Sequence, residues 1–351
     1  LKLSGTLLGL LTTLPLLGFG IVSTLTPIFT KRFGIGKTLL AAMALLTIGI
    51  ILRSLMGIFG LYFGTVLLGI AIAFGNVLIP ALIKQNFPHR AGLVTSLYSS
   101  VMALGASLAA GASVPLAVSY NLGWRGSLSV WAIFSFIAFW VWLTQVKHIK
   151  RTKPRRAFKE ALKNLSGKRL VWQIAIYMGL QSMAFYVVLA WLPAILIDYG
   201  YDSSYAGWML ALSQATGILG SVVIPLWAGK RKDQRLVIGT LVALECLSLF
   251  GLIFPNPTLI PISVSILGFV LGGTFGLALL LIVLRSSNAD TTAELSGIAQ
   301  SIGYLIAATG PIIVGFIQDY FQAWEYTIIL LIGVALIKLL VGIGAGKKQQ
   351  I

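Results

Sequence analysis

Acidic residues are scarce in this chain: nine, against 26 lysines and arginines, in 351 positions. Charged residues of both signs make up only 10%, where an ordinary soluble domain carries about 25%. That deficit excludes a water-facing surface over most of the molecule. Cysteine is rarer still. Cys246 stands alone inside an apolar run, which rules out an intrachain disulfide framework and a cysteine-rich metal site and reads as packing. The two histidines, His89 and His148, lie between apolar runs, and no serine has a partner acid and base. No G-x-x-x-x-G-K-[ST] loop occurs, and glycine runs such as "GVALIKLLVGIGAG" lack the strand context of a dinucleotide loop. An enzyme, a metal centre and a bound cofactor are therefore not expected. The net charge of +17 does not point to nucleic acid, because the basic residues sit between apolar runs and not along one soluble face.

What the chain has in excess is grease. Hydrophobic residues reach 58% and the mean hydropathy is +0.94, so the solvent for most of the molecule is lipid. Crossing ~30 Å of hydrocarbon takes about 20 apolar residues. Eleven such segments can be read, at 4–29, 38–57, 60–83, 91–118, 125–146, 171–197, 204–228, 236–254, 259–284, 293–317 and 324–344. With no water to serve backbone groups, each must be a helix. Most of the basic residues fall in loops after odd-numbered segments, among them Lys31, Arg32 and Lys37, the run from Lys147 to Arg169, and Lys230 to Arg235. The positive-inside rule places those loops and the C-terminus in the cytoplasm. Five segments precede the long basic loop and six follow it. Eleven helices of an expected twelve, with the first helix missing before Leu1, is the simplest account. The domains are then a five-helix bundle over 1–146, a basic cytoplasmic linker over 147–170 and a six-helix bundle over 171–351. Within the linker, Phe158, Leu162 and Leu165 share a face that would lie on anionic lipid.

The halves resemble each other at an offset of about 200 residues, as two-bundle secondary transporters do. "AGLVTSLYSSVMALGASLAAGASVPLA" from Ala91 matches "AELSGIAQSIGYLIAATGPIIVG" from Ala293. "LTPIFTKRFGIGKTLL" from Leu25 matches "VIPLWAGKRKDQRLVIGTL" from Val223. Small residues four apart form stripes at Gly5, Gly9 and Thr13; at Ser99, Ala103, Ser107 and Gly111; at Ser213, Gly217 and Ser221; and at Ala299, Gly303 and Ala307. Each stripe permits close helix approach. Static packing explains any one of them; four at related positions suit halves that rock.

Helix number, repeat and central basic loop resemble the major facilitator superfamily. "GNVLIPALIKQNFPHR" from Gly75 resembles the G-N-x-x-x-P-x-x-I-K-x-x-F-P run of its cyanate and 2-nitroimidazole transporter branch. The resemblance implies an all-α membrane protein of two bundles, multi-pass in the cell membrane. It implies a monomeric secondary active transporter that moves a small solute by alternating access, with a small anion such as cyanate as one candidate. Proton-linked efflux of drug-like compounds is an alternative, as is a non-transporting or truncated remnant. The superfamily's loop pattern G-x-x-x-D-R-x-G-R-R would fall on Pro27 to Gly36, and there Lys31 replaces the aspartate.

Candidate solute contacts are the polar and aromatic residues within spans. They are Asn76, Tyr98, Gln181, Trp191, Gln214, Gln300 and Tyr304, with packing as the competing reading for each. Pro80, one turn after Asn76, removes a backbone bond. Glu245 lies mid-span, where an ionised acid costs about 3 kcal/mol, so it is protonated or paired. It is the candidate for proton coupling.

Overall fold

The computed structural model describes residues 5–149, 165–254 and 256–351. The long apolar segments form helices, and no strand occurs among the described residues. The helices are α1 (Gly5–Phe33), α2 (Ile35–Leu55), α3 (Gly57–Asn86), α4 (Ala91–Val114) and α5 (Gly123–Gln145). A second set comprises α6 (Arg169–Asp198), α7 (Ser203–Gly229), α8 (Arg235–Gly251), α9 (Leu259–Arg285), α10 (Ala289–Phe321) and α11 (Trp324–Gly346). Nine helices among the described residues are long and apolar enough to cross a membrane. That is two fewer than the eleven segments read from the sequence. α8 is one of the two, with only 17 residues. Phe158 and Leu162 of the expected linker helix lie outside the described residues, as do the side chains of the stripe at Gly5, Gly9 and Thr13.

Local chemistry sets several boundaries. Gly34 separates α1 from α2 at φ +81°, a backbone region that favours glycine. Asp202 and Asn288 cap α7 and α10, accepting from the backbone N–H groups of Tyr205 and Thr291. Inside each set glycine lets backbones touch. A β-carbon on Gly268 of α9 would lie 2.7 Å from the Ser213 carbonyl carbon of α7, so the α7–α9 contact admits no larger residue there. Arg285, the last residue of α9, is buried, donating to the carbonyls of Ala345 and Gly346 at 2.8 Å each and to Gln234. Its charge is thus met by helix-end carbonyls of α11.

The two sets meet along two seams, α1 with α10 and α4 with α7. The sequence repeat equates α1 with α7 and α4 with α10, and that exchange turns one seam into the other. The contacts across the seams lie in the halves of these helices that lead to the basic loops. Gly92 meets Gly229, Ser96 Oγ donates to Val222 O at 2.7 Å, and Ser99 Oγ donates to Ser221 O at 3.0 Å. Ser301 donates to the Gly20 carbonyl. Ile35 and Leu39 of α2 cluster with Val77 of α3 and with Ala289 and Ala293 of α10.

Candidate functional site

Toward the other end the sets part around a cavity of about 850 Å³. Its lining includes Phe19, Asn76, Gln181, Phe185, Gln214 and Tyr304, with Ser99, Ala103 and Ser107 of α4 facing Ser213, Gly217 and Ser221 of α7. Two of the predicted small-residue stripes therefore shape the space between the sets. The stripe on α10 does something else: Gly303 packs against Met178 and Gly179 of α6, which is helix packing within the second set. Among the described residues that line the cavity there is no lysine, arginine, histidine or acid.

The floor is a hydrogen-bonded relay centred on Asn76, which is buried. Tyr98 donates to Asn76 Oδ1 at 3.0 Å, and Asn76 Nδ2 donates to the Tyr304 hydroxyl at 3.3 Å. Gln300 Nε2 donates to the Asn76 backbone carbonyl at 2.7 Å and to Ser296 Oγ at 3.0 Å. The carbonyl is available because residue 80 is proline. In a regular helix the N–H four residues on would claim it, and Pro80 has none. A neighbouring helix satisfies the freed group. The same device recurs in the other seam, where Ser99 bonds the Ser221 carbonyl, four residues before Pro225. The asparagine–proline spacing in the sequence is thus a cross-set fastening. Replacing Gln300 by leucine should leave a buried carbonyl unmet and cost about 1–3 kcal/mol. Adding Pro80→Ala should return much of it, because an alanine at that position supplies the missing N–H. Thermal unfolding of both variants in detergent checks the order; a double variant no more stable than Gln300→Leu would refute the account.

The predicted contacts divide three ways. Asn76, Gln181, Gln214 and Tyr304 line the cavity. Tyr98 and Gln300 stand behind Asn76 and hold it. Trp191 is not among the described lining residues; its indole N–H donates to Pro311 O at 3.3 Å and its ring packs on Trp324 at 5.7 Å. An indole needs one acceptor when buried, and α10 supplies it. Phe19 and Ser182 line the cavity and were not singled out in the sequence. Phe19 packs on Tyr304 with ring centroids 4.9 Å apart.

Glu245 is 1% exposed and ion-paired to Lys338 of α11, itself wholly buried. Neither lines the cavity. The pair neutralises its charges inside the second set, which is the paired alternative foreseen for Glu245. Lys338 was missed; a lysine inside an apolar run opposite the one mid-span acid was the available signal.

At the basic-loop end, Lys31 Nζ of α1 lies 3.3 Å from Glu294 Oε1 of α10. The lysine that departs from the superfamily's loop pattern therefore finds an acid on the opposite set. Reversing one partner (Lys31→Glu or Glu294→Lys) places like charges across the seam, which costs several kcal/mol. Transport should fall with either single change and recover in the double exchange. Equal activity of all three variants would remove the pair from the closing contact.

A family described as Major Facilitator Superfamily matches residues 1–311. A 2-nitroimidazole transporter of Escherichia coli is 39% identical over 98% of this chain and 87% of its own length. A cyanate transport protein of the same organism is 26% identical over 94% and 86%. Among solved structures, a Major Facilitator Superfamily transporter, FucP, in the outward conformation superposes with a TM-score of 0.80 at 11% identity, over 99% of this chain and 91% of that one. The chain belongs to the Major Facilitator Superfamily: it is a multi-pass membrane protein and a secondary transporter, not an enzyme.

Proposed function

We propose that the transporter carries a small, neutral, flat, hydrogen-bonding solute of the 2-nitroimidazole kind. The observation that carries this reading is a cavity of about 850 Å³ with aromatic walls, uncharged amide and hydroxyl groups and no cationic side chain among the described residues of its lining. A desolvated anion such as cyanate needs a compensating positive charge, whereas a neutral aromatic ring needs only apolar walls and a few placed dipoles. Phe19, Phe185, Tyr186 and Tyr304 supply the walls. The transporter named for 2-nitroimidazole is also the nearer in sequence of the two relatives described above.

The same arrangement supports transport by alternating access. The bodies 1–146 and 171–351, joined by the basic linker 147–170, rock about the Asn76 floor. With the basic loops in the cytoplasm, the seams are closed on the cytoplasmic side and the cavity faces outward. In proteoliposomes, unlabelled 2-nitroimidazole inside should drive counterflow of labelled compound from outside, while cyanate should not exchange. Cyanate exchange without 2-nitroimidazole exchange would overturn the assignment.

A further inference from the structure

Gln181 is 1% exposed and borders the cavity. Its Nε2 donates to the Met178 carbonyl at 3.1 Å and to Ser182 Oγ at 2.5 Å. A carbonyl only accepts, so this contact fixes which end of the amide is nitrogen. The opposite end, Oε1, has no hydrogen-bond partner among the described residues. A buried acceptor left unmet is costly, and a solute that reaches it with an N–H removes the cost. Tyr304 complements it. Its hydroxyl oxygen accepts from Asn76, and its own hydrogen has no acceptor among the described residues. The two side chains come from helices in tight contact, since Gly303, next to Tyr304, packs on Met178 and Gly179, two residues before Gln181.

We infer that Gln181 and Tyr304 form a matched acceptor and donor that select solutes carrying a ring N–H beside an acceptor atom, an inference that rests on the cavity being the solute site. The Gln181 oxygen receives the ring N–H, and the Tyr304 hydroxyl donates to a nitro oxygen or pyridine-type nitrogen on the same molecule. The relay through Tyr98 and Asn76 holds Tyr304 with its hydrogen turned away from the seam. Phe185 lies one turn beyond Gln181 on α6, and Phe19 packs against Tyr304, so aromatic surface flanks both polar groups.

Three compounds test this on the purified full chain by calorimetric binding. They are 2-nitroimidazole, its 1-methyl derivative, which has no N–H, and its 4-methyl derivative, which has the same added volume and keeps the N–H. The wild-type chain should bind the 1-methyl compound about tenfold or more weaker than the 4-methyl compound. Gln181→Met should erase that gap. Equal binding of the two methyl isomers by the wild type overturns the inference while leaving the solute class standing, and so does a gap that survives in Gln181→Met. Should the variant fail to assemble, the wild-type ratio decides alone. Absence of binding by all three compounds refutes the solute class itself, and the inference with it.

Discussion

Replacing Lys338 by methionine is expected to leave Glu245 as an unpaired acid in the core of the second helix set. Removing one member of a buried ion pair costs about 3–5 kcal/mol. The environment leaves little room for relief by water: both residues are essentially without exposure. Glu245→Gln alone should be similarly damaging, because it strands the ammonium of Lys338. The double variant Glu245→Gln, Lys338→Met removes both charges together and should recover most of the loss, since replacing a buried pair by uncharged groups is often close to neutral. Unfolding in detergent followed by tryptophan fluorescence measures the cycle. The same double variant speaks to proton coupling. Gradient-driven uptake that persists in it would show that Glu245 is not the proton carrier, whereas uptake that loses its gradient dependence while the fold survives would assign that role to the pair.

Gly92→Leu is expected to lower transport by about tenfold or more while leaving each helix set intact. Gly92 lies in the first turn of α4 beside the basic loop, and Gly229 ends α7 on the opposite set. A β-carbon on Gly92 would lie 2.8 Å from both the Gly229 Cα and the Pro225 carbonyl oxygen, and one on Gly229 would lie 2.6 Å from the Gly92 Cα. Those neighbours are backbone, which cannot turn aside as a side chain can. A leucine there acts as a wedge that keeps the seam from closing, so the population shifts away from the state described above. The native cysteine, Cys246, would first be changed to serine and a cysteine placed at Ser99. Gly92→Leu should then raise the reaction of that cysteine with a membrane-impermeant thiol reagent applied from the basic-loop side. Unchanged labelling together with unchanged transport would show that this contact does not close in the cycle.

Several of these features were readable in advance and several were not. Asn76 and Pro80 stood out as a polar residue and a helix-bond breaker within one apolar run. What they do together required knowing that Gln300, more than two hundred residues away, reaches the freed carbonyl. Gln181 and Tyr304 were visible as polar atoms in lipid-facing sequence, but only the neighbours on α6 and α10 distinguish them from Trp191, whose N–H is spent on Pro311. Lys31 was noticed as a departure from a motif and Glu294 passed unremarked. Each explains the other once α1 lies against α10. Lys338 stands out in its apolar run, but its partner is on a helix that periodicity cannot orient.

The division has a physical basis. An apolar chain in a solvent without hydrogen-bonding capacity must satisfy each backbone group locally, four residues along, so composition and segment length alone determined that this protein is a set of helices. Which polar side chains meet depends on how each helix is rotated and where it crosses its neighbours. Those choices come from the packing of small residues over long sequence distances, and only the tertiary structure decided them: the Asn76 floor, the paired Glu245 and the unmet oxygen of Gln181.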